Sequence, residues 1–142
     1  MRPAYTVATV RAAEKRLLEQ QSHEDQLMKL AAAARPGAVL ILAGSGGNGG
    51  DGLYAGAALA SRGATVHALV PERCHEEALA AFRSAGGTVL SPGEVPTDTA
   101  LLIDAIAGLG SARGLSDASL SLYRDTTAAG AAVLAVDMPT GV

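Results

Sequence analysis

Ala38-Val39-Leu40-Ile41-Leu42-Ala43-Gly44-Ser45-Gly46-Gly47-Asn48-Gly49-Gly50-Asp51-Gly52 is the stretch whose reading decides the fold. Its first six residues form an unbroken apolar run, as expected of a strand buried on both faces. Six glycines in the next nine positions remove every bulky side chain from a turn that leaves this strand and opens a helix, expected over 53–61 and stopped by Gly63. Backbone N–H groups in such a turn approach a phosphate closely, and the N-terminus of the following helix adds a favourable dipole. Asn48 and Asp51 are the two substantial side chains on the turn. An anion-binding loop has no need of a carboxylate, so Asp51 points to chemistry, a cation or a hydroxyl contact as well.

Outward from this turn the pattern repeats. Strands are expected over 65–70, 88–90, 100–106 and 132–136, and helices over 76–85 and 116–129, closed by Gly86-Gly87 and Gly130. Before the first strand, Val7, Val10, Glu14, Leu17 and Leu18 mark one amphipathic helix and Leu27, Met28 and Leu30 a second, so N-terminal helices are expected within 6–34 and an α/β core over 38–142. Strands alternating with helices of this length predict a three-layer α/β/α, Rossmann-like, doubly wound and mostly parallel sheet. The second helix joins the first strand abruptly through Pro36-Gly37, and the sequence stops at Val142 just past a strand. Both points suggest missing chain, one segment near Ala34 and Arg35 and a truncated C-terminal portion.

The chain has 142 residues, 49% of them hydrophobic and 18% charged, with a net charge of −3. That is one domain's worth of sequence with enough apolar material for a core. Scattered Lys and Arg, one Phe and no Trp give little to a nucleic-acid surface. No apolar stretch approaches the ~20 residues needed to span a bilayer. Cys74 stands alone, which excludes a disulfide framework and suggests a reducing, cytoplasmic setting. Beside His75 it has the makings of a nucleophile pair, but neighbours in sequence rarely meet correctly and an incidental thiol is the plainer reading. His23, His67 and His75 lack metal-ligand spacing.

In doubly wound sheets, ligands sit outside the carboxyl ends of strands, where the strand order reverses. With the 38–43 strand central, the 100–106 strand beside it and the 132–136 strand beyond, three polar segments meet at one edge. These are the glycine turn, Asp104 with the loop that follows it, and Asp137-Met138-Pro139-Thr140-Gly141. Each has a plainer reading. Asp104 would serve as a loop cap, although Leu101, Leu102, Ile103 and Ile106 around it make an uncompensated carboxylate costly. Asp137 suits an ordinary turn start, and Arg113 either meets a phosphate or is solvated. The spacing Gly44-x-Gly46-x-x-Gly49 formally matches a dinucleotide fingerprint, but its acidic partner is displaced to Glu72, beyond Pro71.

Taken together, Ala43 to Gly52, Asp104-Ala105-Ile106-x-Gly108-x-Gly110 and Val136-Asp137-Met138-Pro139-Thr140-Gly141 resemble the NAD(P)H-hydrate epimerases, the YjeF N-terminal domains. Val10-Arg11-Ala12-Ala13-Glu14 and Leu27-Met28 are similar to that family's N-terminal helices, so the resemblance covers nearly the whole chain in order. The family's turn usually has two consecutive asparagines, and here the first is Gly47. The resemblance implies an isomerase that interconverts the R and S epimers of hydrated NADH and NADPH in nicotinamide nucleotide repair. It implies substrate contacts from Gly47, Asn48, Gly49, Gly50 and Asp51, from Gly108, Leu109, Gly110, Ser111, Ala112, Arg113 and Gly114, and from Asp137. It also implies a potassium ion held by Asn48, Asp104 and Thr140, ligand types suited to a hard cation. Between the carboxylates, Asp137 is expected to handle the proton and Asp51 to anchor the substrate. A homodimer and a fused ADP- or ATP-dependent dehydratase domain stay open under the same resemblance. So do two other readings, a non-catalytic binding or scaffold module and a nucleotide-binding oxidoreductase.

Overall fold

The computed structural model describes residues 37–106 and 116–136. The expected N-terminal helices, Gly108 to Gly114, Asp137 and Thr140 lie outside the described residues. In chain order the elements are β1 (Ala38–Ala43), α1 (Gly47–Ser61), β2 (Val66–Leu69), α2 (Glu76–Ser84), β3 (Thr88–Val89), β4 (Thr99–Ala105), α3 (Asp117–Ala128) and β5 (Ala132–Ala135). The five strands form one sheet in the order β3-β2-β1-β4-β5, and every neighbouring pair is parallel. As expected, β1 is central, β4 lies beside it and β5 beyond.

Burial explains why the apolar runs become these strands. All six residues of β1 and all seven of β4 are buried. Side chains alternate across a strand, and the two faces of the sheet carry different packing. Leu40, Leu42 and Leu102 cluster with Leu122 of α3, with Tyr123 and Ile106 packed against them. On the other face, Ile41 and Ala105 meet the glycines of α1, and Phe82 of α2 closes over Gly56 and Gly87. The described core therefore has three layers, with α1 and α2 on one side and α3 on the other.

Glycine after each helix has a conformational cause. Gly63, Gly86 and Gly130 adopt φ of +93°, +100° and +94°, the left-handed conformation that ends a helix without a steric penalty. The one sizeable departure from the sequence pattern is the start of α1. It begins at Gly47, not near residue 53, so the second half of the glycine turn is already helical. Glycine disfavours a helix by about 1 kcal/mol per residue relative to alanine. Tertiary packing overrides that cost here, because Gly49, Gly52 and Gly56 sit where a Cβ would collide with Gly44, Ala105 and Ile41.

Candidate active site

A cavity of about 430 Å³ opens at the carboxyl ends of β1, β2 and β4, walled by Gly44, Ser45, Pro71, Ile106 and the start of α3 at Ser116. Strand order changes direction between β1 and β4, which is where this architecture receives ligands. A second cavity of about 450 Å³ lies at the opposite edge, by Gly37, Thr65, His67, Thr97 and Asp98. It sits at the strands' amino ends, remote from the glycine turn.

The glycines of the turn divide into two kinds. A Cβ on Gly44 would lie 2.1 Å from the Ile106 carbonyl oxygen, and one on Gly49 2.0 Å from that of Gly44. On Gly52 it would lie 2.4 Å from the Ala105 Cβ, and on Gly50 3.0 Å from the His75 ring. These four are glycine because the chain packs against itself. A Cβ on Gly46 or Gly47 would meet nothing within 4 Å, and glycine at the N-cap leaves the first turn without a side-chain cap. The start of α1 thus presents backbone N–H groups over an open, bare surface, the arrangement that suits a phosphate. Because that side is open, Gly47→Ala is expected to raise stability by about 0.5–1 kcal/mol. Urea denaturation of the full chain checks this, and a lowered midpoint would contradict it.

Asn48 and Asp104 are brought together through Val136. The Asn48 amide Nδ2 donates to the Val136 carbonyl at 3.5 Å, across 88 positions of sequence. The Val136 N–H in turn donates to the Asp104 backbone carbonyl at 2.8 Å. Asp104 is 1% exposed, and its Oδ1 accepts from the Ile106 N–H at 3.4 Å. It stands in register between Leu42 and Ala135, two residues beyond Leu102 and so on the α3 face of the sheet. The Asn48 amide is thus tied, through the backbone of Val136, to the strand that carries the buried Asp104.

Asp51 is the fifth residue of α1 and exposed, while the first turn holds no acidic residue. The helix dipole falls off within that turn, so Asp51 gains little from it. Glu72 is exposed, three residues past the end of β2. The free thiol of Cys74 is half-buried. His75, set aside in the sequence reading, is the N-cap of α2, its Nδ1 accepting from the Ala78 N–H at 3.2 Å. Its ring lies against Gly50 and meets Tyr54 edge-on, with centroids 5.9 Å apart. The sequence signal for this was the acidic pair Glu76-Glu77 directly after it, which marks a helix start. No described helix is long and apolar enough to cross a membrane.

Comparison with known proteins adds to this geometry. An NAD(P)H-hydrate epimerase of Microbacterium testaceum is 42% identical over 160 residues, covering 98% of this chain and 60% of the relative. One from Achromobacter xylosoxidans is 37% identical, covering all of this chain and 74% of the relative. A bifunctional NAD(P)H-hydrate repair enzyme of Corynebacterium glutamicum is 37% identical over 161 residues, and the chain spans 28% of its length. These alignments are longer than the 142 residues of this chain, so the relatives hold residues without a counterpart here. A crystal structure of the yeast protein ynu0 matches 74% of this chain, and 49% of its own, with a TM-score of 0.61 at 24% identity, a likeness of fold. The family model described as YjeF-related protein N-terminus matches residues 7–142. The chain belongs to that family.

Proposed function

We propose that this chain catalyses epimerisation of hydrated NADH and NADPH, as an isomerase of nicotinamide nucleotide repair. The observation that carries the reading is the junction of Asn48, Val136 and Asp104 beside the open start of α1. A scaffold has no use for a buried Asp104 and an Asn48 amide tied to the neighbouring strand end, whereas a hydroxylated dinucleotide needs both a phosphate seat and polar groups near its reacting ring.

In this reading the pyrophosphate lies over Gly46 and Gly47, and substrate contacts run from Gly47 to Asp51, through Gly108 to Gly114, and to Asp137. Asn48, Asp104 and Thr140 would hold potassium. The two described members fit, since a buried carboxylate on an apolar strand and the oxygen of an amide offer the hard donors that such an ion prefers. When bound, the ion would supply fixed positive charge near the substrate. Asp137 gives and takes back a proton as the ring hydroxyl leaves as water and water re-adds on the opposite face, or as the ring opens and recloses, and Asp51 accepts hydrogen bonds from substrate hydroxyls. The single cysteine is in keeping with a cytoplasmic setting.

Chromatographic separation of the two hydrate epimers tests this directly. The full chain is expected to speed their equilibration with no ATP present, and Asp137→Asn to slow turnover by about 100-fold. Epimer ratios that relax no faster than in buffer would overturn the enzymatic reading in favour of a binding module.

A further inference from the structure

We propose that His75 is a specificity-determining residue, whose Nε2–H donates to an acceptor oxygen of the substrate's adenosine diphosphate half. The inference rests on the epimerase reading and concerns a residue outside the motifs that carry it.

Three contacts hold the imidazole in one orientation. Its Nδ1 accepts from the Ala78 N–H at 3.2 Å, so the proton of the neutral ring sits on Nε2. Its Cγ and Cδ2 lie where a Cβ on Gly50 would come within 3.0 Å. Tyr54 meets it edge-on, with an interplanar angle of 67°. Turning the ring over would set a carbon against the Ala78 N–H and leave that donor unmet. The remaining donor therefore has a fixed direction on an exposed side chain.

The location gives this donor a ligand. His75 ends the connection from β2 to α2 and packs against the fourth residue of α1, next to the bare first turn where a pyrophosphate fits. Val70 and Pro71, at the other end of that connection, line the crevice itself. Asp104 and Val136 lie on the far side of β1, on the β4 and β5 half of the sheet. A dinucleotide with its reacting ring on that half lays its other half toward β2, as dinucleotides do in this strand order. Gly50 then serves the site indirectly, by admitting the ring of His75 close to the helix.

The two roles of His75 separate by substitution. Asparagine is a good N-cap but lacks a donor at the position of Nε2. His75→Asn in the full chain is expected to keep the wild-type melting temperature and kcat while raising KM for hydrated NADH about tenfold. For hydrated reduced nicotinamide mononucleotide, which has no adenosine half, KM is expected to stay unchanged. An unchanged KM for the dinucleotide, or an equal rise for both substrates, would overturn the proposal. So would a rise that His75→Ser does not reproduce, since serine also caps without that donor. Failure of the wild type to epimerise either substrate would instead refute the epimerase reading on which the proposal rests.

Discussion

Gly49→Ala is expected to destabilise the protein by about 3 kcal/mol and to abolish ligand binding at the glycine turn. The added methyl would lie 2.0 Å from the Gly44 carbonyl oxygen and 2.8 Å from its carbonyl carbon. Both are backbone atoms, and the Gly44 N–H is itself tied to the Ala105 carbonyl at 2.9 Å. No rotamer change relieves the collision, so the start of α1 must move away from β1. That movement carries Asn48 away from Val136 and breaks the link between the turn and β5. Helix propensity by itself favours alanine by about 1 kcal/mol, so the sign of the effect discriminates. Urea denaturation beside Gly47→Ala is the measurement, with shifts of opposite direction expected. A Gly49→Ala midpoint equal to or above wild type would mean that the turn is not closed in this way.

The second large effect is expected at Asp104. Asparagine keeps the side-chain shape and an acceptor for the Ile106 N–H, but removes the buried charge. In sodium buffer, Asp104→Asn should therefore stay within about 1 kcal/mol of wild type, since losing a buried charge offsets much of what the carboxylate contributed. In potassium the two proteins should separate. An ion at 100 times its dissociation constant stabilises the wild type by about 2.7 kcal/mol through mass action, and the variant should lack that gain. Epimerase activity should fall by about 100-fold. Thermal unfolding in matched potassium and sodium salts, with the epimer assay alongside, reads both quantities. Equal behaviour of wild type in the two salts, or full activity in the variant, would remove the cation from the proposed site.

What the sequence made legible was the part governed by local chemistry. The apolar runs at 38–43 and 100–106 mark the two buried strands, with β4 shifted by one residue. Gly63, Gly86 and Gly130 mark three helix ends, where a left-handed residue is required. The central place of β1 follows from the doubly wound pattern, in which strands are laid down on both sides of the first. What stayed hidden depends on contacts distant along the chain. Glycine's poor helix propensity masked the start of α1 at Gly47, because Ala105 and Ile41 supply the reason for glycine there. The link from Asn48 to Val136 joins residues 88 positions apart, and no local pattern announces it. His75 looked incidental because its neighbours Gly50 and Tyr54 lie on another helix. Asp104 was legible as an anomaly, a carboxylate within an apolar run, and its bond from the Ile106 N–H is the loop cap that the plainer reading offered.

Fully buried β1 and β4 contrast with the other side of the sheet, where β3 is two residues long and α2 buries only Ala78 and Phe82. Amide protons in the central pair are therefore expected to exchange with solvent more slowly than those of the short β3, which hydrogen exchange of the full chain checks. The crevice is bounded on both sides by these unequal regions. Its wall at Gly44 and Ile106 adjoins the fully buried central strands, and its wall at Pro71 the connection to α2. A ligand entering past Pro71 would thus leave the register of Asp104 against Leu42 undisturbed.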